Sequence, residues 1–192
     1  MAEQEYARVL SPPKQSFFLF GMRGVGKSTW ARRVFPRAHR IDLLDEGVYQ
    51  NILPNPTLFR LELEGLPRGS WVIVDEIQRI PTLLNYVHLL IEEKKLRFVL
   101  LGLSARKLKQ AGVNLLAGRA LRKQMFPLLP EELAKDFDLD RILTLGSLPL
   151  VWQSASPTET LDVYVQLYLK EEIRAEALVR NLPAFSRFLP LE

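Results

Sequence analysis

One segment constrains this chain more than any other: Gly21-Met-Arg-Gly-Val-Gly-Lys-Ser28. It lies between an unbroken apolar run, Ser16-Phe-Phe-Leu-Phe20, and a stretch from Lys27 to Phe35 with Trp30, Ala31, Val34 and Phe35 on one helical face. Pro36 stops that helix because its ring cannot continue the hydrogen-bond ladder. A buried strand, a glycine-rich turn and a helix start must then follow one another within a few residues. That sequence of elements is the context a phosphate-binding loop requires. The glycines let backbone N–H groups turn inward, and the helix N-terminus adds its partial positive charge at the same spot. On this reading Gly21, Met22, Arg23, Gly24, Val25, Gly26, Lys27, Ser28 and Thr29 surround the phosphates of ATP. Lys27 sets a point charge on the β- and γ-phosphates, and the Ser28 hydroxyl ligates Mg²⁺.

A second motif, Trp71-Val-Ile-Val-Asp75-Glu76, fits the same chemistry. Four apolar residues bury a strand whose end carries a carboxylate, at the sheet edge where open α/β folds bind ligands. Asp75 is expected to hold the magnesium ion opposite Ser28. Glu76 is expected to orient or deprotonate the attacking water. An acid beside the magnesium aspartate favours hydrolysis over transfer of phosphate to a second substrate. The guanine-reading Asn-Lys-x-Asp pattern is absent from the sequence.

A third apolar run, Phe98-Val-Leu-Leu101, and weaker candidates at Arg40–Leu44 and Arg122–Phe126 complete five expected strands. Runs without alternation mean strands covered on both faces. Helical spacing between them, as in Pro81–Lys95, predicts βαβ units, hence an α/β fold with a parallel sheet flanked by helices. The stretch Asn51–Arg68, with its prolines and no clear period, reads as an irregular excursion. From Pro127-Leu-Leu-Pro130 onward the pattern turns helical: Glu131–Phe137, Asp140–Leu145 and Thr158–Arg180. We therefore expect a core over residues 1–127 and a small helical subdomain over 128–192.

Composition agrees with this and narrows the chemistry. Cysteine is absent, which excludes disulfides and thiolate metal sites and suits a cytoplasmic address. No apolar run reaches the ~18–20 residues of a membrane helix. His39 and His88, the two imidazoles, stand far apart in sequence. The net charge is only +4, yet no carboxylate occurs between Glu5 and Asp42 or between Glu93 and Glu131, while Lys and Arg are dense in both stretches. Such blocks are either solvated faces or a surface for a polyanion, nucleotide or nucleic acid.

With these residues in view, the chain resembles the prokaryotic AAA-type ATPases in which a C-terminal domain of unknown function follows the ATPase core. The resemblance rests on Val74-Asp-Glu-Ile-Gln-Arg79, Leu115-Leu-Ala-Gly-Arg119, Phe126-Pro-Leu-Leu-Pro-Glu-Glu-Leu133 and Leu148-Pro149, with Tyr168-Leu-Lys-Glu-Glu-Ile173 and Phe185-Ser-Arg-Phe-Leu189. It implies a P-loop ATPase core with Lys27 and Ser28 on phosphates and metal, Asp75 and Glu76 on metal and water, and Gln78 supporting them from behind. It also implies that Arg119 serves either as an arginine finger reaching a neighbouring subunit's γ-phosphate or as an ordinary ion-pair residue. Two departures stand out. Where the family has Thr-Gly-Ser-Ser after the fourth strand, this chain has Leu101-Gly-Leu-Ser104, so the usual threonine sensor becomes a leucine and Ser104 is left to replace it. Family members also continue past the position of Glu192 into their C-terminal domain.

The expected function is thus ATP binding with Mg²⁺-dependent hydrolysis that drives a conformational switch. A nucleotide-dependent nucleic-acid-binding module using the basic stretch Lys94–Lys123, and a small-molecule kinase, are the alternatives.

Overall fold

The computed structural model describes residues 6–110, 116 and 118–169. Two compact units divide the chain, Arg8–Phe126 and a second made of Met1–Ala7 with Pro127–Glu192.

In the first unit, strands and helices alternate: β1 (Phe17–Phe20), α1 (Lys27–Val34), β2 (His39–Asp42), α2 (Glu46–Ile52), α3 (Thr57–Glu64), β3 (Trp71–Asp75), α4 (Leu83–Lys94), β4 (Arg97–Gly102), α5 (Ala105–Gln110) and β5 (Leu121–Gln124). The five strands form one sheet in the order β2-β3-β4-β1-β5, and every pairing is parallel. Parallel neighbours need crossovers, and the helices supply them. The strand that ends at the phosphate loop, β1, lies between β4 and β5.

Strand period explains why the three strong runs lack alternation. Phe18, Phe20, Val72, Val74, Phe98 and Leu100 join a core with Phe59, Leu63, Leu84 and Val87 of α3 and α4. The intervening residues Phe17, Leu19, Ile73, Val99 and Leu101 are buried as well. Phe17 sits edge-on to Trp30 of α1, with ring centroids 6.2 Å apart, and Phe35 stacks at a tilt on Trp71 at 4.4 Å. Both faces of the sheet are therefore covered, as the apolar runs require.

The expected irregular excursion over Asn51–Arg68 is corrected. This region holds the end of α2 and the whole of α3. The Asp45 carboxylate caps α2 by accepting from the Val48 N–H at 3.1 Å. Pro56 sits at the start of α3, where its missing N–H costs nothing, and the helix buries Phe59 and Leu63 one turn apart. The prolines punctuate the helices rather than prevent them. Strand ends also shift: β2 begins at His39 and stops at Asp42, and β5 runs Leu121–Gln124.

The second unit is helical where it is described: α6 (Pro130–Leu133), a 3₁₀ turn (Ala134–Asp136), α7 (Leu139–Leu145), α8 (Pro149–Trp152), α9 (Pro157–Val163) and a π-helical turn (Tyr164–Leu169). Leu128, Leu133 and Trp152 form its small core with Tyr6 and Ile142 against them. The Trp152 indole N–H donates to the Tyr6 hydroxyl at 3.2 Å, and the Arg141 guanidinium lies 4.0 Å over the Trp152 ring. The expected helix past residue 169, the block Phe185–Leu189, and parts of Leu115–Arg119 and Tyr168–Ile173 lie outside the described residues.

Candidate nucleotide site

The phosphate loop joins the end of β1 to the start of α1. Gly24 and Gly26 take φ values of 75° and 93°, a region where a side chain would strain the backbone. No side chain caps α1, so the first N–H groups of this helix point into the loop and are available to an anion. Lys27 is 6% exposed, and its ammonium donates to the carbonyls of Gly21 at 2.6 Å and Met22 at 3.1 Å. The amine thus lies under the loop it belongs to. Arg8, a residue that sequence reasoning did not single out, braces the loop from outside: its guanidinium donates to the Val25 carbonyl at 2.8 Å and to the Phe126 carbonyl. No motif marks it, since only the fold brings residue 8 to residue 25.

β3 delivers the acids to the same edge. The Ser28 hydroxyl donates to an Asp75 carboxylate oxygen, and the Glu76 N–H donates to the other at 3.0 Å. In β2, Asp42 stands in register with Asp75, a neighbour that no sequence motif connects with it. Burial is the main cause that pushes the Asp75 pKa up; the Ser28 hydrogen bond and Lys27 oppose it, and Asp42 adds to it. Burial also raises Glu76, reinforced by Asp75 and opposed by Lys27, Arg23 and Gln78. Burial thus disfavours the charged form of both neighbouring carboxylates, and a cation bound beside them would favour it again.

Glu76 has a left-handed backbone, φ 55° and ψ 42°, which costs a non-glycine residue ~1–2 kcal/mol. A 3₁₀ turn, Ile77–Arg79, follows directly. Ile77 is fully buried, and Arg79 donates to the Leu43 carbonyl while lying 3.9 Å over the Tyr49 ring. Pinned on both sides, Gln78 turns its amide back and donates to the Glu76 carboxylate.

These residues fit a magnesium ion. Ser28 and Asp75 offer hard oxygen donors in mutual contact, and magnesium at phosphate sites uses one or two protein ligands with phosphate and water oxygens completing the octahedron. A dedicated cage is unnecessary, and among the described residues no group of three or more acids and histidines forms one.

Two further residues that the sequence singles out, Ser104 and Arg119, have partners inside this unit. Leu101 is fully buried in β4, in register with Leu19, and Ser104 accepts the Arg106 N–H at 3.1 Å, the geometry of a helix cap for α5. Arg119 pairs with Glu92 near the end of α4. It precedes β5, whose first residue Leu121 is in register with Phe17, the first of β1. Arg119 therefore lies at the edge where the strands begin, at least about 10 Å below the phosphate loop at ~3.3 Å per strand residue.

Two solved structures resemble the chain at low identity. One is a STAND protein, a signal transduction ATPase with numerous domains and a tetratricopeptide repeat sensor, from Pyrococcus horikoshii, with 16% identity and a TM-score of 0.39 over 85% of this chain. The chain spans 28% of that protein's length. The other is domain III of the replication initiation protein DnaA from Thermotoga maritima, with 13% identity and a TM-score of 0.38 over 85% of this chain and 80% of that one. No curated protein sequence matches the chain. Residues 13–134 match the AAA domain family, a span that takes in the phosphate loop, both acids and all five strands. The chain therefore belongs to the AAA domain family, with a parallel α/β nucleotide-binding fold.

Proposed function

We propose that the protein binds ATP with magnesium and hydrolyses it, and that the cycle drives a conformational switch. The observation that carries this is the convergence of Ser28, Asp75 and Glu76 at the mouth of the loop that holds Lys27. Gly24, Gly26 and the start of α1 present N–H donors to the phosphates, and Lys27 exchanges loop carbonyls for phosphate oxygens. Ser28 and Asp75 would hold Mg²⁺, whose role is to neutralise developing charge on the bridging oxygen. Glu76 accepts a proton from water as that water attacks the γ-phosphorus. Burial, which raises its pKa, makes this carboxylate a better base than an exposed one.

The test pairs two variants. Lys27→Ala should lose ATP binding, whereas Glu76→Gln should bind ATP and turn it over at least ~10²-fold more slowly, the scale of general-base catalysis. Wild-type turnover by the Glu76 variant would remove it from the reaction. We further propose that Arg119 acts on the γ-phosphate of a second copy, because its position at the far edge of the sheet leaves it unable to reach this chain's own site.

The nucleic-acid alternative draws less support from the fold. Within the basic stretch Lys94–Lys123, Lys94 donates to the Leu66 carbonyl at 3.3 Å, Arg97 to the Gly69 carbonyl at 2.7 Å, and Arg119 pairs with Glu92. Several of its cations thus already serve internal partners. No helix among the described residues is long and apolar enough to cross a membrane.

A further inference from the structure

The peptide between Val25 and Gly26 is the last one of the phosphate loop that α1 does not hold. One residue on, the Gly26 carbonyl accepts from the Trp30 N–H at 2.9 Å, the bond that opens the helix. At the start of the loop the Lys27 ammonium holds the carbonyls of Gly21 and Met22. Gly26, at φ 93°, has no Cβ to resist a turn of the peptide before it. A residue remote in sequence sets that peptide's direction. Arg8 donates through Nη1 to the Val25 carbonyl at 2.8 Å and through Nη2 to the Phe126 carbonyl. A planar guanidinium can serve both in one fixed geometry. Phe126 follows Met125, whose N–H donates to the Phe20 carbonyl at 2.7 Å, so the far end of this bridge is tied to the sheet. The Val25 side chain is fully buried, and its Cγ1 lies 3.1 Å from where a Cβ on Gly21 would be. In a trans peptide the carbonyl and the N–H point in opposite directions. With the Val25 carbonyl drawn outward to Arg8, the Gly26 N–H is aimed into the loop.

We propose that Arg8 is a positioning residue for the nucleotide: by bridging the Val25 and Phe126 carbonyls, it fixes the Gly26 N–H as a donor to the β-phosphate. This rests on the ATP-binding reading above and names the part of the nucleotide that the contact serves. The phosphate is the β one because backbone N–H groups of such a loop cradle the α- and β-phosphates, while the lysine reaches on toward γ. A donor aimed before the ligand arrives spares the cost of turning it at binding. When Lys27 exchanges its loop carbonyls for phosphate oxygens, Arg8 keeps its own two, so the loop retains an anchor throughout. The guanidinium stays charged at every working pH, and the anchor does not titrate. ATP and ADP share the β-phosphate. Arg8 therefore sets affinity for both nucleotides, and the chemistry at the γ-phosphorus is left to Lys27, Ser28, Asp75 and Glu76.

The experiment measures the affinities for ADP and for a non-hydrolysable ATP analogue by calorimetry, and steady-state ATP turnover, on the full chain with magnesium. The variants are Arg8→Met, which keeps an unbranched side chain without donors, and Arg8→Lys, which keeps the charge but cannot bridge two carbonyls as a fork does. Arg8→Met should weaken ADP and the analogue alike, by about 10–100-fold. Its KM for ATP should rise in parallel, with kcat at saturation within about threefold of wild type. Arg8→Lys should weaken both nucleotides by at least about threefold. Unchanged affinity in Arg8→Met, a loss confined to the ATP analogue, or a fall in kcat at unchanged KM would each overturn the proposal. Wild-type affinity in Arg8→Lys would overturn it too, by showing that charge alone suffices. A wild type that binds both nucleotides without turnover would remove the hydrolysis reading and leave the affinity arms to decide on Arg8. A wild type that binds neither would overturn both readings. If Arg8→Met fails to fold, Arg8→Lys decides: a loss shared by ADP and the analogue supports the proposal, and wild-type affinity refutes it.

Discussion

Replacing Gly21 with alanine probes the joint between β1, the phosphate loop and β5. An added Cβ would lie 2.5 Å from the Met125 carbonyl oxygen and 3.1 Å from Val25 Cγ1. The first contact is with backbone, so it cannot be relieved by turning a side chain. Restoring an ordinary separation requires moving Met125 by roughly 0.8 Å, and forced shifts of this kind cost ~1–3 kcal/mol. The Met125 N–H donates to the Phe20 carbonyl at 2.7 Å, continuing the β1–β5 ladder; losing that bond adds ~1 kcal/mol. A total of about 2–4 kcal/mol, at ~2–4 °C per kcal/mol for a chain of this size, lowers Tm by roughly 5–15 °C. The Gly21 carbonyl also accepts from Lys27, so ATP affinity should weaken at least ~10-fold as the loop shifts. Thermal unfolding by circular dichroism and titration with a fluorescent ATP analogue measure the two effects. Gly26→Ala is the control: its nearest foreign atom is Arg8 Nη1 at 3.7 Å, so only the backbone strain of ~1–2 kcal/mol remains. A Gly21 variant that melts within a degree of wild type, or no lower than Gly26→Ala, would refute the steric argument.

Two further expectations concern charge. Because burial raises the Asp75 pKa in the folded protein, the unfolded chain releases this proton at lower pH than the folded one does. Folding stability therefore falls as pH rises from the ordinary aspartate range, about 3.9, through the raised folded pKa. Asp75→Asn should melt higher than wild type at neutral pH without metal and nucleotide, and the gap should close toward acid; a gap independent of pH would count against burial as the cause. For Arg119, turnover per chain should rise with protein concentration and saturate, and Arg119→Ala should abolish that rise, lowering the plateau on the order of 10³-fold. Since both partners of the Arg119–Glu92 pair are largely exposed, Tm should barely move. A wild-type rate per chain that is flat with concentration would leave Arg119 as an ion-pair residue.

Local signals carried the sequence reading where chemistry and backbone geometry coincide. Gly24, Gly26, Lys27 and Ser28 are legible because the turn from β1 into α1 is built from consecutive residues, and Asp75 with Glu76 because a buried strand ends on them. Asn51–Arg68 is not legible in this way, because its prolines lie next to helix ends and the burial of Phe59 and Leu63 depends on a sheet far away in sequence. Arg8 and Asp42 carry no motif; they matter only once β1, β2 and β3 are side by side.

By itself, then, the sequence determined the glycine-rich turn after β1, the paired acids at the end of β3 and the covered parallel sheet, since each is encoded in a few adjacent residues. Tertiary structure decided what those acids face. It set Asp42 beside Asp75, buried Leu101 against Leu19's strand, turned Ser104 to cap α5, and carried Arg119 to the opposite edge beside Glu92. It also laid the Gln78 amide between Glu76 and Gly102. Strand order and register govern all of these, and they follow from packing between segments that no local pattern connects.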